Sequence, residues 1–205
     1  MKNFNAKDYD QSAGKLFAPI YPVIAEQIVQ KTGITTGRCL DVGTGPGYLG
    51  LAMAKITDLD VCLFDISENA LQLAGEKIIQ EGLEDRMETL LGDVHNIPLN
   101  DMSVDLVISR GSFIFWDDKP KAFSEIYRIL APGGFAYVGG GFGTEELRDE
   151  IEKKRKEKDD SWTHPKRLTG ENSGERIVDA LMAANIPDFK ISLQAGFWVI
   201  LHKQA

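Results

Sequence analysis

The segment Asp41-Val42-Gly43-Thr44-Gly45-Pro46-Gly47 ends an apolar run with an acid and then presents three glycines spaced two apart. Glycines permit positive φ and let the backbone approach a ligand closely. After a strand of an open α/β sheet, such a loop lies outside the strand's carboxyl end, where ligands bind. Two more acids occupy equivalent places. Asp65 ends the next apolar run, about 20 residues beyond the loop, where a carboxylate can accept hydrogen bonds from both hydroxyls of a ribose. Asp93, in Gly92-Asp93-Val94, follows the third run and can meet the exocyclic amine of an adenine. The set describes a nucleoside site.

Asp41 helps to choose the nucleoside. Gly45-Pro46-Gly47-Tyr48-Leu49-Gly50 also fits GxGxxG, whose dinucleotide pyrophosphate would sit at the loop and the helix N-terminus behind it. A carboxylate at the lip of the loop would repel that pyrophosphate. S-adenosylmethionine has no phosphate, and its sulfonium and ammonium suit an acid-rich cleft. The acids favour this cofactor and hence methyl transfer. A nicotinamide-dependent oxidoreductase using the GxGxxG is one alternative. A non-catalytic module that only binds S-adenosylmethionine is another, since no catalytic base stands out and no catalytic residue is assigned. Each acid also has a plain structural reading: Asp41 as a cap of the following helix, Asp65 as a loop acid or N-cap, Asp93 as a turn residue.

The elements that must position these residues are legible in the pattern. Strand-like runs at Cys39–Val42, Val61–Phe64, Glu88–Leu91, Val104–Ser109 and Phe135–Val138 alternate with helical stretches. Glu68–Gln80 puts Leu71, Ala74 and Ile78 on one face, with Ser67 as N-cap. Lys121–Leu130 stops before Pro132-Gly133-Gly134. Alternation of this kind predicts an α/β fold, doubly wound and three-layered, with helices on both faces of a mostly parallel sheet. Near the C-terminus, Phe189–Gln194 alternates as a half-exposed strand, and Phe197–Leu201 is continuously apolar, as in a strand buried on both faces. Only Ala195-Gly196 separates them, so the last strand runs antiparallel and inserts into the sheet, leaving its predecessor at the edge. Ile20–Val29 is amphipathic. Glu145–Lys158 reads as a charged helix, with Lys153–Asp160 as a solvated face. The expected layout is a single domain, residues 1–205. It has an N-terminal helical segment (1–37), a cofactor-binding core (38–143), a helix and loop flank (144–175), and a last helix with the terminal hairpin (176–205).

Bulk properties bound the partners. The chain has 205 residues and a formal charge of −8, which argues against broad nucleic-acid binding. No apolar run reaches the roughly 20 residues of a bilayer span, and the N-terminus lacks an apolar signal core, so the expected compartment is the cytoplasm. Cys39 and Cys62 read as buried reduced thiols. His95, His164 and His202 show no ligand spacing, and no metal site is expected. Asp117-Asp118 can be read as a metal pair or, before Pro120, as a helix start.

Taken together, these segments resemble the class I methyltransferases, the seven-stranded Rossmann-like family, and within it the small-molecule branch. Leu40-Asp41-Val42-Gly43-Thr44-Gly45-Pro46-Gly47 is similar to the first motif and Phe64-Asp65-Ile66-Ser67 to the second. Gly92-Asp93-Val94-His95-Asn96-Ile97-Pro98-Leu99 is similar to the adenine-contacting segment. Asp105-Leu106-Val107-Ile108-Ser109 resembles the fourth-strand motif, and Arg128-Ile129-Leu130-Ala131-Pro132-Gly133-Gly134 the turn before the fifth strand. The resemblance implies a seven-stranded sheet with an antiparallel last strand. It also implies roles in binding S-adenosylmethionine. Gly43, Thr44, Gly45 and Gly47 form the loop, with the first and third of these bordering the methionine portion near Asp41. Asp65 takes the ribose and Ile66 packs on the adenine. Asp93 and the Val94 amide read its edge, and Ser109 and Arg110 lie beneath the methionine.

The acceptor is narrowed by absences. Ser109-Arg110-Gly111-Ser112-Phe113-Ile114-Phe115-Trp116 carries neither the Pro-Pro motif of amino-directed DNA enzymes nor the paired glutamates of arginine enzymes, and no cysteine nucleophile. A small-molecule acceptor remains, with Tyr9, Tyr21, Arg110, Phe113, Trp116 and Trp162 as candidate contacts. Ordinary packing is the competing reading of each aromatic. Arg110 could bind an anionic group or pair with a loop acid.

Overall fold

A computed structural model describes residue 10, residues 14–158 and residues 169–205. Tyr9, Trp162 and His164 lie outside the described residues. After a helical turn at Lys15–Phe17 come α1 (Ile20–Thr32), β1 (Thr36–Val42), α2 (Tyr48–Ile56), β2 (Asp58–Asp65), α3 (Glu68–Glu81) and β3 (Met87–Leu91). These are followed by β4 (Val104–Arg110), α4 (Lys119–Ile129), β5 (Leu130–Gly141), α5 (Glu145–Lys158), α6 (Gly174–Ala183), β6 (Phe189–Ser192) and β7 (Gly196–His202).

Local chemistry sets several of these boundaries. The Ser67 hydroxyl accepts from Ala70 N at the start of α3, and Gly82 ends it in the left-handed conformation with φ 65°. Asp118 caps α4, accepting from Lys121 N at 3.0 Å, with Pro120 in the first turn where no amide partner is needed. The helix-start reading of Asp117-Asp118 is therefore the one realised, and among the described residues no cluster of three His, Cys, Asp or Glu could hold a metal.

The seven strands lie in the order β3-β2-β1-β4-β5-β7-β6. β1 to β5 pair in parallel, and β7 is antiparallel to both β5 and β6. The chain winds outward from β1 through β2 to β3, then returns to the other side of β1 for β4. A cleft opens at this reversal, beyond the strands' carboxyl ends. Alternate residues feed two cores. Leu63, Tyr137 and Trp198 face α1, α2 and α3, packing with Ile24, Met53 and Ile78. Leu40, Phe64, Val138 and Val199 face α4 and α6, packing with Phe123, Ile126 and Leu181. Cys39 and Cys62 are buried free thiols. No helix among the described residues is long and apolar enough to cross a membrane.

One strand departs from expectation. β5 is longer than Phe135–Val138 and begins directly after α4, but its pairing with β4 is broken at Pro132-Gly133-Gly134: Leu130 faces Val104 and Phe135 faces Leu106. Those residues stop the helix and interrupt the ladder, with Gly133 at φ 82°, and they are tied to the chain leaving β7: Gly133 N donates to Lys203 O and Lys203 N to Gly134 O. At the other end a Cβ on Gly139 would stand 2.1 Å from Phe197 O, so glycine is what lets β7 approach.

Candidate functional site

The glycine loop is tied to the end of β2. Gly43 N and Thr44 N both donate to Phe64 O, at 2.8 and 3.1 Å. Gly45 N donates to one Asp65 oxygen at 2.8 Å, and Ser67 N to the other at 2.9 Å. The φ values of Gly43, Gly45 and Gly47 are 65°, 56° and 84°. Other L residues are disfavoured there.

Asp41 is not at the lip. It is 1% exposed, and its Oδ2 accepts from Thr44 Oγ1 at 2.7 Å and from Gly50 N at 3.0 Å. It braces the loop against the first turn of α2 from below. Burial, outweighing these hydrogen bonds, pushes its pKa up to about 7. Asp41 therefore carries less negative charge at neutral pH than its sequence position suggests. Two other expected contacts also support from behind. Gly47 is absent from the cavity wall; a Cβ on it would lie 2.8 Å from Leu63 Cδ1, so it serves the packing of α2 on β2. Ser109 is fully buried and outside the wall, its Oγ 2.6 Å from Ser112 Oγ, which in turn donates to Val42 O.

A cavity of about 1170 Å³ opens over the loop. That exceeds the roughly 300–1,000 Å³ usual for one small ligand, leaving room for two. Gly43, Thr44, Gly45, Asp65, Ile66, Asp93, Val94 and Arg110 line it together. Ile66 is 53% exposed, an apolar side chain left open at the wall. Asp93 accepts from His95 N at 2.9 Å and pairs with the ring Nδ1 at 2.6 Å, and these contacts hold its carboxyl below the usual range. His95 Nε2 accepts from Asp118 N at 3.3 Å. The segment beyond Asp93 is clamped by Arg128, which donates to Ile97 O and Leu99 O (both 2.9 Å) and to Asp101 and Glu125.

On the opposite wall, Tyr21 stacks on Tyr48 at 5.2 Å, Phe113 on Phe197 at 6.0 Å, and Trp116 meets Phe123 edge-on at 5.6 Å. All three candidates line the cavity, yet all are mostly buried in packing. Arg110 has no ion pair among the described residues. Its Nε donates to Gly141 O at 3.0 Å, and its guanidinium lies over Phe17 and Tyr21. The N-terminal segment, the loop at residues 110–120 and residues 142–175 are the expected walls; within them Phe17, the 65% exposed Phe115, Arg148 and Arg155, not singled out by the sequence, also line the cavity. No motif marks these residues: the N-terminal turn brings Phe17 to the cleft, the loop after β4 brings Phe115, and α5 brings the two arginines.

Fold and loop thus define a nucleoside-binding doubly wound domain with space beside the nucleoside. Residues 40–138 match the family described as a methyltransferase domain. The chain is 34% identical to the uncharacterized methyltransferase YdaC of Bacillus subtilis over 62% of its own length and 68% of that protein's. It is 33% identical to methyltransferase GfsG of Streptomyces halstedii, over 54% of the chain but only 40% of that longer protein. Among solved structures, a Methanococcus maripaludis protein assigned as an S-adenosyl-L-methionine-dependent methyltransferase superposes with a TM-score of 0.92. It is 42% identical, over 100% of this chain and 97% of that one. The chain belongs to the S-adenosylmethionine-dependent methyltransferases.

Proposed function

We propose that the donor lies across the carboxyl ends of β1, β2 and β3 and passes its methyl group by direct displacement to a small-molecule acceptor in the remainder of the cavity. The observation that carries this is Asp65 in a 1170 Å³ cavity, its carboxylate held at the tip of the glycine loop by Gly45 N. The residues present fit S-adenosylmethionine. Gly43 and Gly45 would border the methionine portion, Asp65 would take the ribose hydroxyls, Ile66 would pack on the adenine, and Asp93 with the Val94 amide would read its edge; all of them line the cavity. When bound, the cofactor supplies the activated methyl group, and the protein's part is alignment. Holding nucleophile and methyl in line can account for roughly 7–11 kcal/mol of the barrier. The two buried free thiols suit a reducing compartment, the cytoplasm.

Calorimetry with S-adenosylhomocysteine tests the donor site. The wild-type chain is expected to bind it, and Asp65→Ala to bind it about ten- to a hundredfold more weakly, the worth of hydrogen bonds to a charged group. Asp65→Asn keeps one acceptor and should fall between. Unchanged affinity in Asp65→Ala removes the ribose assignment. Release of S-adenosylhomocysteine from S-adenosylmethionine in a metabolite screen identifies the acceptor.

A further inference from the structure

The cavity is divided by charge, and the division follows the sheet. Asp41, Asp65 and Asp93 come from the ends of β1, β2 and β3, on one side of the reversal in strand order. Arg110 comes from the end of β4, and Arg148 and Arg155 from α5, which follows β5 on the other side. Two wall acids, Asp117 and Glu145, and the imidazole of His95 stand outside this pattern. Asp65 and Asp93 face the proposed donor, whose sulfonium and ammonium are cationic, with the buried Asp41 beneath the loop. Arg110 has a counterpart in that donor reading, the carboxylate of the methionine portion above it; Arg148 and Arg155 have none.

We propose that the acceptor is a small organic anion, an apolar body bearing a carboxylate or phosphate, whose charged group is held by Arg110, Arg148 and Arg155. This rests on the donor reading above. The helix α5 sorts its cations: Lys153, Lys154 and Lys156 are exposed, whereas Arg148 and Arg155 are half-buried on the face that carries the buried Ile151. Arginine is the side chain whose planar fork matches a carboxylate or phosphate in two parallel hydrogen bonds and which tolerates contact with aromatic faces. The guanidinium groups of Arg110 and Arg155 lie 5.1 and 5.0 Å from the centre of one ring, Phe17. With Nε given to Gly141 O, the two terminal nitrogens of Arg110 make no hydrogen bond among the described residues. Among the described residues Arg148 pairs only with its neighbour Asp149, at 3.2 Å and with side chains 41% and 69% exposed, a contact of little worth. Phe17, Phe115 and Phe142 supply apolar wall for the body of such a molecule. A cationic amine would be repelled from this half.

The test uses the full chain and simple probes: benzoate, phenyl phosphate and neutral benzyl alcohol, titrated by ligand-observed NMR with and without saturating S-adenosylhomocysteine. At least one anion should bind about tenfold or more tightly than benzyl alcohol, a difference within reach of charge-assisted bidentate contacts. In Arg148→Gln/Arg155→Gln the preference should shrink to about threefold or less, with S-adenosylhomocysteine affinity changed by less than about twofold. If the double variant does not fold, Arg155→Gln alone should lower the preference, while Arg155→Lys keeps part of it. The proposal is overturned if benzyl alcohol binds as tightly as both anions, if no anion binds, or if the preference survives the arginine variants. It is equally overturned if the variants lose S-adenosylhomocysteine in step with the anions, since the arginines then serve the donor. Failure of the wild-type chain to bind S-adenosylhomocysteine strikes the donor reading instead, and the anion preference of the ligand-free chain still decides the arginine site.

Discussion

Asp41→Asn is expected to gain on the order of 4 kcal/mol of stability relative to the wild-type chain as the pH is raised from about 4 to about 8. The folded chain keeps the Asp41 proton up to about pH 7, whereas the ordinary value is 3.8. Between those values the folded state binds a proton that the unfolded state has released, so this group's contribution to stability falls as pH rises. Asn can accept both hydrogen bonds that Asp41 Oδ2 accepts, from Thr44 Oγ1 and Gly50 N, and it carries no charge to desolvate. Asp10, Asp93 and Glu125 have lowered pKa values and act in the opposite sense, losing stability as pH falls, but they are common to both proteins and cancel in the difference. Urea midpoints at the two ends of the window measure it. A difference that stays constant with pH means that Asp41 does not titrate there. The same linkage predicts proton uptake and release on binding. A sulfonium near Asp41 favours the carboxylate, so S-adenosylmethionine should release more protons near pH 6.5 than the uncharged thioether S-adenosylhomocysteine.

Depth is what the sequence could not convey about Asp41. An acid at a strand end before a glycine loop looks the same whether it faces the ligand or lies beneath the loop. Only the close approach of Gly50 to Asp41 Oδ2 puts it underneath. Ser109 and Gly47 lie behind the wall for the same reason: a motif marks a segment, and the side of it that meets the cavity depends on what packs behind. Where periodicity carries the information, the reading held. The continuous apolar run Phe197–Leu201 does lie between two strands, and the alternating Phe189–Ser192 does form the edge. The glycine loop, Asp65 and Asp93 converge on one cavity, because strand order places successive carboxyl ends side by side. The other half of the cavity was nearly silent. With apolar positions as sparse as Leu147 and Ile151, α5 looks like a solvated helix, and nothing local separates Arg155 from the lysines around it.

Gly43→Ala is expected to destabilise the chain and weaken S-adenosylhomocysteine binding together, by about 2–5 kcal/mol in all. Its φ of 65° is costly for any residue with a Cβ, about 1–2 kcal/mol. The new Cβ would also stand 2.3 Å from Ser112 Cβ. Ser112 cannot simply turn aside, because its Oγ is held by Val42 O and Ser109 Oγ. The loop must therefore move, carrying Thr44 and Gly45 away from Asp41 and Asp65. Gly45→Ala provides the contrast. Its φ of 56° is equally left-handed, but nothing lies within 4 Å of its Cβ, so only the backbone term applies to stability. The added methyl would intrude on the cavity wall that Gly45 helps to form, and most of its effect should appear in affinity. Adding Ser112→Gly to Gly43→Ala removes the collision but leaves the φ strain. The double-mutant cycle should then show favourable coupling of about 1–3 kcal/mol. Zero coupling would mean that the two residues do not press on each other, and the loss in Gly43→Ala would have to come from backbone strain alone.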